Sequence, residues 1–189
     1  MDDKHEITAE AVIISTGASA KYLGLPSEKE YYNKGVSACA VCDGFFYKGK
    51  TVAVVGGGDT AAEEAIYLAN LCPKVYLIVR RDEMRASKIM QSRALNNPNI
   101  EVLWNTETEE ILGDGEAVTG MRVVNKQTGE KKNIDVEGFF VAIGHKPNTD
   151  IFKDYLEMDE TGYLIAESGT KKTKVEGVFV TGDAADKVY

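Results

Sequence analysis

Apolar residues in this chain come in short runs, most of them closed by glycine. Residues 11–18, Ala-Val-Ile-Ile-Ser-Thr-Gly-Ala, predict a short buried strand stopped by Gly17. A polar connector follows, broken by Gly24 and Pro26 and carrying the charged stretch Glu28-Lys29-Glu30. Residues 35–44 read as an exposed segment with two thiols. The apolar run 51–55 predicts a strand that enters Gly56-Gly57-Gly58. In residues 59–70, Ala62, Ala65, Ile66 and Ala69 recur at helical spacing. Glu63 and Glu64 fall in the early turns of that helix, where its dipole favours acids. Residues 75–79 are a second apolar strand. Strand, glycine turn, helix and strand make one βαβ unit of a parallel sheet.

Residues 83–95 predict a further helix, ended by Asn96-Asn97-Pro98, and residues 100–104 a third strand ending at a core Trp104. Between Thr106 and Val136 the turns Gly113-Asp114-Gly115 and Gln127-Thr128-Gly129 divide the chain into short hairpin strands. Residues 138–143 are apolar throughout and return to the parallel sheet, until Gly144-His145-Lys146-Pro147-Asn148 breaks them. Residues 177–183 repeat the strand-to-glycine pattern of the start. The expected fold is α/β: a three-layer, Rossmann-like parallel sheet with an inserted antiparallel β-meander.

Composition narrows the function classes. Of 189 residues 43% are hydrophobic and 28% charged, which suits a globular chain and not a disordered one. Lys and Arg number 22 against 30 Asp and Glu, a formal charge of −8 with a pI near 4.9. That balance lacks the footprint of a nucleic-acid binder. No apolar run approaches the ~20 residues of a membrane span, and Met1-Asp2-Asp3 is unlike a secretory n-region. Three cysteines make no disulfide framework in a chain this long. The expectation is a soluble cytoplasmic protein with neither nucleic-acid nor membrane partners.

Two motifs carry chemistry. Gly56-Gly57-Gly58-Asp59-Thr60-Ala61 fits G-x-G-x-x-A between a strand and a helix. Gly56 permits the tight turn, Gly58 admits a pyrophosphate to the backbone, and Ala61 lets helix approach strand; the helix N-terminus offers amides to the anion. A plain glycine turn is the alternative. The second strand ends at Val79-Arg80-Arg81, with Arg85 close behind, and guanidiniums there suit a ribose 2′-phosphate rather than a free hydroxyl. NADPH is therefore favoured over NADH, the alternative being a solvated basic patch. The second motif, Cys39-Ala-Val-Cys42-Asp43, places two sulfurs within disulfide range and reads as redox beside a βαβ unit, the alternative being two ordinary loop cysteines; Asp43 is positioned to move protons during exchange, or simply to make a turn with Gly44. Zinc needs about four ligands, and only Cys72 remains. No metal is expected. Cys72 reads as a partly buried structural thiol, Phe45-Phe46-Tyr47 as packing that anchors the cysteine loop or as an exposed aromatic face suited to a protein partner, and His145 as either a nucleotide contact or a turn residue.

Together these segments resemble bacterial thioredoxin reductases of the low-molecular-weight type. The resemblance rests on Ser37–Tyr47, Val54–Ala61, Arg80-Arg81 with Arg85, Phe140–Asn148, Thr16-Gly17-Ala18 and Thr181-Gly182-Asp183, and it covers nearly the whole chain. It implies an FAD domain interrupted by an NADPH domain that carries the redox pair, in a homodimeric enzyme that reduces thioredoxin. Cys42 would face the flavin, Cys39 would attack the thioredoxin disulfide, and Asp43 would serve as acid and base. Ile143, Gly144 and His145 would join Gly56–Ala61 and the arginines at NADPH; Thr16, Gly17, Ala18, Gly182 and Asp183 would touch FAD. By this pattern residues 22–148 form the NADPH domain, and residues 1–21 and 149–189 are remnants of the flavin domain. The family's opening G-x-G-x-x-G unit for FAD has no counterpart here, so the chain reads as a fragment that does not retain FAD. The alternatives are a flavoprotein fragment serving a peroxiredoxin, whose cysteine motif typically has a Pro-His interior, and a free-standing redox-sensing nucleotide-binding module.

Overall fold

Strands β-branched or aromatic in sequence, such as residues 51–55 and 138–141, are placed where expected in the computed structural model, which describes residues 6–186. Met1-Asp2-Asp3 and His5 lie outside the described residues. In chain order the elements are β1 (Val12–Ile14), β2 (Ala18–Ala20), α1 (Pro26–Glu30), β3 (Val36–Ser37), α2 (Ala40–Asp43), β4 (Thr51–Val55), α3 (Asp59–Ala69) and β5 (Lys74–Ile78). There follow α4 (Lys88–Leu95), β6 (Ile100–Leu103), β7 (Thr106–Gly113), β8 (Val118–Asn125), β9 (Lys131–Asp135), β10 (Gly138–Val141), β11 (His145–Pro147) and β12 (Val178–Val180). A single-turn 3-10 helix, Gly44–Tyr47, directly continues α2.

The chain divides into two compact units. The larger, Lys21–Gly144, contains a five-stranded parallel sheet in the order β3-β10-β4-β5-β6. Alternate residues of each strand point to opposite faces, and both faces are covered. Val52, Val54, Leu77 and Phe140 pack with Ala61, Ala65 and Leu68 of α3. Ala53, Val55, Ile78, Phe139 and Val141 pack with Ile111, Met121, Val123 and Ile134 of the antiparallel meander β7-β8-β9. Helices, parallel sheet and meander are the three layers. Within this unit the Lys21 amide donates to the Gly144 carbonyl at 2.9 Å.

In the smaller unit, made of residues up to Ala20 and from His145 onward, β1 lies parallel to β12 and β2 antiparallel to β11. Its core is small: Ile14, Leu164, Val180 and Ala184.

The structure corrects several expectations. The first strand is shorter than residues 11–18 and is not buried: Val12 and Ile13 are exposed, Ile13 at 69%, and only Ile14 faces a core. Residues 35–44 are not an exposed segment throughout, because Val36 and Ser37 pair with β10 as a buried edge strand. The helix read over 83–95 is confined to Lys88–Leu95. The amides before it are committed elsewhere: Arg85 and Ala86 donate to the Gly57 carbonyl at 2.6 and 3.1 Å, and Ser87 donates to the Asp59 carboxylate at 2.8 Å. Trp104 is half-buried against the helix-side core and does not belong to its interior. Phe45 and Phe46 are exposed, and only Tyr47 anchors the cysteine loop, its ring edge-on to Phe140 at 5.3 Å.

Candidate functional site

Parallel strands deliver the residues that follow them to one edge of a sheet, outside their carboxyl ends. At that edge β4, β5 and β10 open into Gly56, Val79 and Ala142, which with Thr106 at the start of β7 line a cleft of about 510 Å³. Gly57, Gly58, Thr60, Arg80, Arg81, Arg85, Ile143 and Gly144 also line it, and Leu23 and Leu25 wall one side. Among the described residues no His, Cys, Asp or Glu cluster could hold a metal ion.

The glycines have different reasons to be glycine. Gly56 has φ +152°, and a Cβ on it would lie 2.3 Å from the Ala142 carbonyl oxygen and 2.7 Å from the Ala61 Cβ. The fold requires it. Gly58 has an ordinary φ of −93°, and a Cβ on it would meet no protein atom within 4 Å. Neither backbone strain nor packing demands glycine there; a group bound at the α3 N-terminus would. That terminus has no side-chain cap, so its first amides face outward unclaimed by a capping side chain. Asp59 does not line the cleft. Its carboxylate is held below the usual range by the Ser87 amide and hydroxyl, and it tethers the arginine loop to the glycine turn. Ala61 is fully buried beneath Gly56. His145 is not part of the cleft lining; it is exposed at the start of β11, paired with Ala20.

Cys39 and Cys42 form a disulfide with Cα atoms 5.3 Å apart, at the turn that follows β3 and opens α2. Cys39 caps α2, its Sγ accepting the Cys42 amide at 3.2 Å. Cys42 is exposed and Cys39 half-buried. The buried Ser37 hydroxyl donates to Asp43 Oδ2 at 2.6 Å and accepts the Cys39 amide at 3.1 Å, so one side chain fixes both the carboxylate and the first cysteine. Cys72 is buried outright, its thiol pushed up to about 11 by burial and donating to the Tyr47 carbonyl. It is structural. Thr16-Gly17-Ala18 and Gly182-Asp183, in the smaller unit, follow the carboxyl ends of the paired strands β1 and β12, where the Thr181 amide donates to the Ile14 carbonyl at 2.9 Å.

Two carboxylates escaped the sequence reading. Glu28 is almost wholly buried, and its two oxygens accept the Leu23 and Gly24 amides at 2.9 and 2.8 Å, which fixes the cleft wall. The available signal was an acid two residues after the proline that opens α1, the reaching half of a capping box. Glu64, on α3, accepts the Ala40 amide and is pushed up to about 7 by burial. Its Oε2 and the Thr108 hydroxyl are the buried side-chain oxygens without a partner among the described residues.

The profile of the pyridine nucleotide-disulphide oxidoreductase family matches residues 1–189. The thioredoxin reductase of Dictyostelium discoideum is 52% identical over all of this chain and 59% of its own length, and that of Coxiella burnetii 50% identical over 99% of this chain and 61% of its own. The solved thioredoxin reductase of Streptococcus pyogenes superposes with a TM-score of 0.86 at 38% identity, covering 100% of this chain and 61% of that one. That of Giardia duodenalis gives 0.84 at 45% identity, covering 95% and 59%. The chain therefore spans about 60% of the length of the relatives it matches. Among the described residues no helix is long and apolar enough to cross a membrane.

Proposed function

The chain belongs to the pyridine nucleotide-disulphide oxidoreductase family, and from that premise we propose that its larger unit binds NADPH and carries the redox disulfide of a cytoplasmic thioredoxin reductase. The observation that carries this reading is one sheet edge with two sites on it. Strands β4, β5 and β10 end at the glycine and arginine cleft, and β3, beside β10, ends at Cys39–Cys42. The cleft contains a glycine with open space in place of a side chain, uncapped helix amides for a pyrophosphate, and three guanidiniums for a 2′-phosphate. NADPH would supply a hydride when bound, and FAD, which Thr16, Gly17, Ala18, Gly182 and Asp183 of the smaller unit would touch in the full-length parent, would convert that hydride into electrons for the disulfide.

The chain's own residues do the rest. In the reduced pair the Cys39 thiolate attacks one sulfur of the thioredoxin disulfide, and the other leaves as a thiolate and takes up a proton. The Cys42 thiolate then attacks Cys39, closing the Cys39–Cys42 bond and releasing the second thiol. Two electrons leave the pair, and the protons of its two thiols end on the product dithiol. Asp43, oriented by Ser37, passes them.

Calorimetric titration tests the cofactor. A lost charge-assisted bond costs about 1.5–3 kcal/mol, so NADPH should bind at least about tenfold tighter than NADH, and Arg80→Ala with Arg81→Ala should remove the difference. Equal affinities in the unaltered chain would overturn it. The pre-reduced chain mixed with oxidised thioredoxin should deliver one stoichiometric dithiol; Cys39→Ser should abolish the transfer, whereas Cys42→Ser should stop at a mixed disulfide.

A further inference from the structure

We propose that Glu64 is a positioning residue that sets the acidity of the Cys39–Cys42 thiols, by holding the Ala40 amide and placing its negative charge beneath the N-terminus of α2. The proposal rests on the redox reading of the pair given above. Three observations carry it. Helix α2 packs on α3, so the short segment between the two cysteines sits directly over the helix that bears Glu64. The Ala40 amide, the first within α2, donates to the Glu64 carboxyl. The other oxygen, Oε2, is buried with no partner among the described residues, so the carboxylate is half-satisfied and its charge uncompensated. A carboxylate whose only described partner is an amide between two redox cysteines is poorly explained as packing. An apolar side chain would fill the same space without the desolvation cost.

The physical consequence follows from competition for the same donors. A thiolate formed at Cys39 accepts the Cys42 amide its Sγ already holds. An ionised Glu64, set against the same short segment, repels that second anion. Two neighbouring anions cannot both ionise at their intrinsic pKa values. The charged groups on the elements packed against α3 are Asp43 on α2, Lys74 on β5, Glu101 on β6, and Lys88 and Arg93 on α4. Burial raises the Glu64 carboxyl to about 7, and the Ala40 amide works against that rise. The charge therefore comes and goes within the range where the thiols must ionise. Ionised, Glu64 keeps the reduced pair as thiols; protonated, it releases them toward thiolate.

The test compares the whole chain with Glu64→Gln, which keeps the volume and an oxygen for the Ala40 amide but removes the charge. Both are reduced with dithiothreitol and freed of it, and the rate of alkylation by iodoacetamide is followed against pH. The variant should react about threefold to tenfold faster near pH 7, where the unaltered chain is still held as thiol. The unaltered profile should also rise in two steps, the upper one absent from the variant; a purely structural role would move the melting temperature and leave the thiol titration in place. Superimposable profiles would overturn the proposal, and so would a single-step profile in the unaltered chain, a measurement that stands even where the variant fails to fold. A pair that dithiothreitol fails to open would instead overturn the redox reading and this proposal with it.

Discussion

Individual side chains in this protein divide into those the fold needs and those only a ligand would need, and Gly56 and Gly58 show the division two residues apart. Gly56→Ala would drive a Cβ into the Ala142 carbonyl from a left-handed backbone, and should cost about 2–4 kcal/mol in urea unfolding. Gly58→Ala meets only open space, so stability should stay within about 0.5 kcal/mol while NADPH affinity falls at least about tenfold by calorimetry. A Gly58→Ala chain that unfolds early and binds normally would reverse the assignment. The spacing of the motif was legible in sequence because its glycines stand at fixed places between an apolar strand and a helix, whether the fold or a ligand requires them. Glu28 was not. In sequence it stands between Ser27 and Lys29 in a charged connector, and only the fold turns its carboxylate inward to two amides of a turn before its own helix. Glu64 escaped because an acid in the early turns of a helix has an ordinary explanation in the helix dipole.

The strands were the most legible elements, because a parallel strand covered on both faces is written as an unbroken apolar run. Phe139 and Phe140 show what that run conceals: adjacent in sequence, they sit in different cores. Truncating either to alanine should cost about 3–5 kcal/mol. Only Phe140→Ala removes the ring against which Tyr47 stands, and Tyr47 ends the turn that continues the cysteine helix. Phe140→Ala should therefore speed reduction of Cys39–Cys42 by dithiothreitol, with Phe139→Ala as the matched control; equal rates in both would show that the aromatic contact does not reach the pair. Elements decided by tertiary bonds were harder to read. Residues 83–95 looked helical up to Asn96-Asn97-Pro98, yet the amides of Arg85, Ala86 and Ser87 go to the glycine turn and the helix begins after them. Strand β3 has two residues, too few to show any period.

At the scale of the whole molecule, what the sequence conveyed best was the grouping of motifs, since every parallel strand places its last residue at the same edge. Its charge conveyed least: a chain with 22 basic and 30 acidic residues still gathers Arg80, Arg81 and Arg85 around one cleft. The hydrogen bond between the Lys21 amide and the Gly144 carbonyl marks where the larger unit is entered and left. Residues 21–144 expressed alone should melt in one cooperative transition and keep the Cys39–Cys42 disulfide, as calorimetry and thiol counting would check; a broad, non-cooperative melt would refute this. With its two ends already bonded to each other, the larger unit is a nearly closed ring of chain. Joining those ends and opening a surface turn such as residues 127–129 would ask almost no extra loop entropy. The same economy lets such a unit be carried as an insert: the host chain need only accept two adjacent ends, and a hydrogen-bonded pair of strands already presents them side by side.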